Sequence, residues 1–90
     1  IAVDDGAARA LIGDNRSLLP AGVKEALGSF DRGDIVAILD AQGGQIAAGI
    51  ANYGSDELNV VKGSHSNQIE ELLGHNYGAE VVHRNNMVFL

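Results

Sequence analysis

Cysteine is absent from these 90 residues. No disulfide can brace the fold, and no thiolate is available as a nucleophile or metal ligand. That absence fits a reducing compartment, and the cytoplasm is the expected location. Tryptophan is absent too, and aromatic residues make up only 4% of the chain, Phe30, Tyr53, Tyr77 and Phe89, so the core must be mostly aliphatic. Proline occurs once, at Pro20. No apolar run approaches the roughly 18–20 residues of a membrane-spanning helix. Basic residues are few, 6 against 12 acidic ones, for a net charge of −6. Such a chain repels phosphate backbones at long range, which counts against strong non-specific nucleic-acid binding. A local basic patch would need Arg9, Arg16, Lys24, Lys62 and Arg84 to converge.

What is present suffices for one small domain. Hydrophobic residues make up 46% of the chain, the level of a folded domain rather than a disordered one. A domain of this length buries only roughly 60% of its unfolded surface, which leaves little room for a deep active site. The opening carries no signal-peptide pattern. Ile1-Ala2-Val3 already reads as strand, so the expectation is a segment of a longer protein.

The chain is organised around Gly28 to Tyr53. Asp34 and Asp40 bracket Ile35-Val36-Ala37-Ile38-Leu39, a run rich in β-branched residues. Gly43-Gly44 then permits the positive φ of a tight hairpin reversal. The return run to Tyr53 places Ile46, Ala48 and Ile50 on one face at period two.

Before the hairpin, Asp5 is the expected N-cap of a short helix over Ala7–Ile12, with Gly13 at its stop and Leu11 and Ile12 docked inward. Asp14-Asn15-Arg16 reads as a polar turn. Ser17 to Val23 reads as an irregular strand bent at Pro20 and Gly22, with Leu18, Leu19 and Val23 in the core and the small-residue backbone at Ala21-Gly22 offered to a partner. After the hairpin, Ser55 is expected to cap a single helical turn, and Asn59 to Gly63 to return extended. Ser64 or Ser66 should then cap a helix ending at Leu73, with Ile69, Leu72 and Leu73 as its buried stripe and Gly74 as its stop. Val81-Val82-His83 and Met87 to Leu90 read as two strands about the turn Arg84-Asn85-Asn86.

Chemical motifs are scarce. Gly28 to Asp34 has the glycine spacing of a phosphate loop, but Asp34 stands where the lysine is required. No glycine-rich dinucleotide fingerprint precedes a helix. His65, His75 and His83 lack metal-ligand spacing and read as exposed or turn-bonded. The pairs Asp4/Asp5 and Asp31/Asp34 could serve acid–base chemistry, yet capping and turn formation explain them without it. Arg32-Gly33-Asp34 and Asn15-Arg16-Ser17 spell an adhesion tripeptide and a glycosylation acceptor, both read as chance.

Several stretches in order resemble a known family. They are Val3-Asp4-Asp5-Gly6-Ala7, Ser17-Leu18-Leu19-Pro20-Ala21-Gly22-Val23, Phe30 to Val36, Ile46-Ala47-Ala48-Gly49-Ile50 and Tyr53-Gly54-Ser55. They are similar to the PUA domains found in pseudouridine synthases and archaeosine transglycosylases. Leu72-Leu73-Gly74 and the close from Val82 to Val88 narrow the likeness to the PUA domains that end the bacterial glutamate 5-kinases. The resemblance implies a mainly β fold with two short helices, a pseudo-barrel of about six strands. Residues 1–90 would then be a single PUA-like domain, the C-terminal fragment of a longer enzyme.

It further implies that catalysis lies elsewhere. An N-terminal amino-acid-kinase domain would hold ATP, magnesium and glutamate, so no catalytic or metal residue carries over to this chain. In RNA-modifying relatives the first helix and the following strand contact RNA. The matching surface here is Gly6, Ala7 and Arg9, with Leu19, Pro20, Ala21, Gly22, Val23 and Lys24. Three roles follow as expectations: an accessory domain partnering its own kinase domain, an RNA-binding module, and a protein-interaction or oligomerisation domain. The parent is expected to be a homo-oligomer without membrane contact.

Overall fold

The apolar run Ile35–Leu39 (β3) and its return Gln45–Ile50 (β4) form an antiparallel hairpin, with Ile35 opposite Ile50 and Ala37 opposite Ala48. The computed structural model describes residues 1–90. Asp40 organises the reversal. Its carboxylate accepts from the N–H groups of Gln42 (3.0 Å) and Gly44 (2.8 Å), and its carbonyl accepts from Gly43 (3.1 Å). Gly43 takes the positive φ (84°) that the turn demands.

Three more strands complete one sheet: Ala2–Val3 (β1), Val23–Glu25 (β2) and Met87–Phe89 (β5). The spatial order is β2-β1-β3-β4-β5; β1 runs parallel to β3 and every other pairing is antiparallel. Three short α-helices accompany the sheet: Asp5–Asp14 (α1), Ser55–Val61 (α2) and Ile69–Leu73 (α3). A sheet-based domain with short helices is thus observed, with five strands in the sheet where about six were expected and three α-helices where two were; Leu18 adds a single bridge to Val82. No helix is long and apolar enough to cross a membrane.

The core is aliphatic apart from Tyr53. Val3, Ile38, Ala47, Leu58, Val61, Ile69, Val81 and Val82 are fully enclosed around that one ring. On β3, Val36 and Ile38 point inward. Ile46, Ala48 and Ile50 do share a face of β4, but Ala47 and Gly49 fill the buried face opposite. The backbone at Asn86 and Met87 and the Val82 side chain press against that side, leaving room only for small residues.

Several local expectations are corrected. Asp4, not Asp5, caps α1: its carboxylate accepts from the Ala7 N–H at 2.7 Å. The helix continues through Gly13 to Asp14 and stops at Asn15, which takes a left-handed φ of 51°. Leu11 is buried beside Ala8 while Ile12 faces solvent. The 59–63 stretch is not extended. Asn59, Val60 and Val61 continue α2, because Leu58 and Val61 reach the core from one helical face and the Asn59 amide clamps both backbone groups of Ala26 (3.0 and 3.2 Å).

Gly54 is the N-cap of α2, and Glu57 reaches back to its N–H at 3.0 Å. Neither Ser64 nor Ser66 caps the next helix. His65 precedes a 3₁₀ turn over Ser66–Gln68, and the Gln68 side chain accepts from its N–H at 3.2 Å. Ile69 is buried and Leu73 partly so, whereas Leu72 is exposed; Gly74 ends α3 with φ 80° as its position requires. Val81-Val82-His83 does not pair with β5. Val82 bridges Leu18 instead, and β5 joins β4 after a 3₁₀ turn over Arg84–Asn86.

Candidate functional site

α1 and the turn that follows it face one another across a shallow groove of about 290 Å³. Their approach is set by small residues. A β-carbon on Gly22 would lie 2.6 Å from Ala7 Cβ, so glycine lets the turn touch the helix. The Asp4 N–H donates to the Gly22 carbonyl (3.1 Å), tying the helix start to the same residue. Pro20 opens a 3₁₀ turn over Pro20–Gly22, where its fixed φ suits the first helical position. Its carbonyl accepts from Gly63 at 2.8 Å, which anchors the turn to the segment after α2.

Of the residues expected to form a partner surface, Gly6, Ala7, Leu19, Ala21 and Gly22 line this groove together. Pro20 and Val23 lie beneath it, both buried, and offer no contact surface. Leu19, expected in the core, is exposed at the groove; its neighbour Leu18 takes the buried position. Arg9 points elsewhere, into a separate groove with Ala8, Ile12 and Asp40. Lys24 is exposed on β2 and does not line the groove. The cation that does is Arg16, beside Ser17. Sequence reasoning had it only as one of five scattered basic residues. Its signal is its place directly after the left-handed Asn15, where the chain turns back from α1.

Arg16 also borders a polar cleft with Asp14, Ser17, Glu80, His83 and Arg84. Two of the five basic side chains therefore converge, interleaved with carboxylates. Here the Arg84 N–H donates to Ser17 Oγ (2.9 Å), and His83 Nδ1 accepts from the Asn85 N–H (3.1 Å).

A fourth cavity, about 440 Å³, is walled by Ser29–Arg32, Asp34 and Gly54–Glu57 and gathers Asp31, Asp34, Asp56 and Glu57. Several of its polar groups hold the fold. Asp34 accepts from the Asp31 N–H (2.8 Å), and Glu57 caps Gly54 and pairs with His75. Buried Ser55 exchanges both hydrogen bonds with the Phe30 backbone (3.1 and 3.2 Å), so its hydroxyl proton is given to a carbonyl and to no carboxylate. No group of three or more His, Asp or Glu side chains converges in a way that could hold a metal ion. The arrangement can bind a partner by shape and backbone; it assembles no nucleophile with a base.

The family model described as PUA domain matches residues 1–73. The chain is 51% identical over 90 residues to a glutamate 5-kinase of Dehalococcoides mccartyi strain CBDB1, covering 100% of this chain and 24% of that protein. It is 48% identical over 88 residues to a glutamate 5-kinase of Caldanaerobacter subterraneus subsp. tengcongensis, covering 98% and 24%. The chain thus spans about a quarter of the length of the curated relatives it matches. Among solved structures, a PUA domain from Aeropyrum pernix K1, determined as a tartrate complex, superposes with a TM-score of 0.64 at 31% identity, over 91% of this chain and 39% of that one. A PUA domain protein from Thermoplasma acidophilum shares the fold, with a TM-score of 0.60 at 21% identity over 91% and 46%.

Proposed function

This chain belongs to the PUA domain family, and from that premise we propose that it serves as a non-catalytic accessory domain of a glutamate 5-kinase. One observation carries the reading: about half the residues are identical, from end to end of the chain, to proteins of that name of which it spans 24%. The remainder of the parent would hold ATP and magnesium and phosphorylate L-glutamate, the first step of proline biosynthesis from glutamate. The enzyme would act in the cytoplasm as a homo-oligomer, with this domain placed at the C-terminal end. Engagement of Asp34, Ser55 and Glu57 of the carboxylate cavity in structural hydrogen bonds supports a domain that takes no part in the chemistry. The test is ATP-dependent glutamate phosphorylation by the full parent chain and by residues 1–90 alone. Turnover is expected from the first only. A full chain that fails to phosphorylate glutamate, or a purified fragment that does so, overturns the reading.

A second role is supported by the groove between α1 and Pro20–Gly22, whose exposed small-residue backbone beside Arg16 suits a strand of RNA. It predicts saturable, salt-sensitive RNA binding that weakens with Arg16→Ala. Binding no tighter than that of an unrelated acidic protein rejects it.

A further inference from the structure

One face of the sheet is covered by the core; the other carries apolar side chains open to solvent. Registry places Ile35 opposite Ile50, Ala37 opposite Ala48, and Ala48 opposite Val88. Leu90 follows on the same side, where its N–H donates to the Ile46 carbonyl (3.1 Å). Ile35 is 79% exposed, Val88 69% and Leu90 81%, with Ile50 at 42%. An antiparallel sheet with one wet face ordinarily alternates apolar inside with polar outside. Here β3 reads Ile-Val-Ala-Ile-Leu without a polar residue, and β4 from Ile46 to Ile50 is likewise apolar on both sides. That pattern belongs to a sheet covered on both faces, and in a chain with net charge −6 a contiguous apolar face marks an interaction site.

We propose that this outer face, built on Ile35, Ala37, Ala48, Ile50, Val88 and Leu90, docks against the catalytic domain of its own parent chain. The proposal rests on the reading of this chain as an accessory domain, and size selects the occupant. Three strands and some five residues along each give a face of roughly 10 by 17 Å. Freely diffusing partners that form a stable complex each bury about 800 Å², which so small a face does not supply. A covalently linked partner is held at roughly millimolar effective concentration and so needs far less contact area to stay docked; this face would form one part of a contact of about 300 Å² per side. About three-quarters of the length of the relatives lies outside this chain, so such a linked partner is available.

The test places a benzophenone photo-cross-linker at Ile35 or at Val88 of the full parent chain, with the same probe at exposed Asn67 as control. Irradiation should give cross-links within single chains, from positions 35 and 88 to residues outside this domain, at least tenfold above the control. Cross-links that join two copies through positions 35 and 88 overturn the proposal in favour of a self-associating face. Yields equal to those at Asn67 overturn it as well. Glutamate phosphorylation is assayed on the same preparations. An active kinase without these cross-links rejects the docking alone, whereas cross-links in a chain that does not phosphorylate glutamate reject the assigned activity and leave the docking in place.

Discussion

Gly49 and Val82 stand so close that the strand has no room for a methyl group between them. A β-carbon on Gly49 would lie 2.6 Å from Val82 Cγ1 and 2.9 Å from the Asn86 carbonyl oxygen. Val82 is fixed in turn by its bridge to Leu18. The contact therefore locks β4, β5 and the segment after α1 that lines the groove into one unit. Gly49→Ala should cost about 1–3 kcal/mol, the usual penalty of overpacking, and Gly49→Val more. Urea unfolding reads the loss directly. An unchanged midpoint for both variants would show that the strand can move aside.

β3 supplies an internal control. Ile38 is wholly enclosed while Ile35, three residues earlier on the same strand, is open to solvent. Ile38→Ala should destabilise by about 2–5 kcal/mol through lost burial and a residual cavity. Ile35→Ala should stay within about 0.5 kcal/mol in the isolated domain, since it removes surface rather than core. Similar losses for the two would mean that the sheet's inner face has been assigned to the wrong side.

At the start of α1, adjacent carboxylates compete for one role. Asp4 has the extended backbone of a cap and accepts the Ala7 N–H, whereas Asp5 lies within the first turn. Asp4→Ala should cost about 0.5–2 kcal/mol. Asp5→Ala should cost less, since only its favourable position near the positive helix end is lost, about 0.3–1 kcal/mol. The order of the two midpoints is the result that matters, and a reversed order would move the cap to Asp5.

That competition shows where sequence reading reaches its limit. Asp-Asp-Gly announces a helix start, but the choice between the two carboxylates depends on the Asp4 N–H bonding to Gly22, a contact the local sequence does not display. The central hairpin was legible because its signals are local: a β-branched run, an aspartate, a glycine pair and a period-two return. The local sequence ends α2 too early because the β-branched pair Val60-Val61 favours strand, while the Asn59 clamp on Ala26 reaches across 33 positions. The candidate site was half legible for the same reason. Ala21-Gly22 signalled exposed small-residue backbone, and Ala7 lies against it. Whether Leu18 or Leu19 turns inward was settled by the bridge to Val82, and Arg16 reached the groove only through the reversal at Asn15.

Tyr53 couples the core to pH. Its ring is fully buried, and its hydroxyl donates to the Gly78 carbonyl at 2.6 Å while accepting the Tyr77 N–H at 2.9 Å. Tyr53→Phe leaves both backbone groups without this partner and should cost about 1–3 kcal/mol. Burial raises the phenol's pKa above its ordinary value, reinforced by the charge of Glu57 and opposed by the Tyr77 N–H and by Arg32. The unfolded phenol, with a pKa of about 10, therefore ionises first as pH rises. Below that pH both states keep the proton and the phenol's contribution is complete. Above it the unfolded chain binds fewer protons than the folded one, so stability falls through the folded pKa. Urea midpoints measured from neutral pH to beyond 10 should decline more steeply for the natural chain than for Tyr53→Phe. Parallel curves would show that the hydroxyl ionises as readily in the folded chain as in the unfolded one.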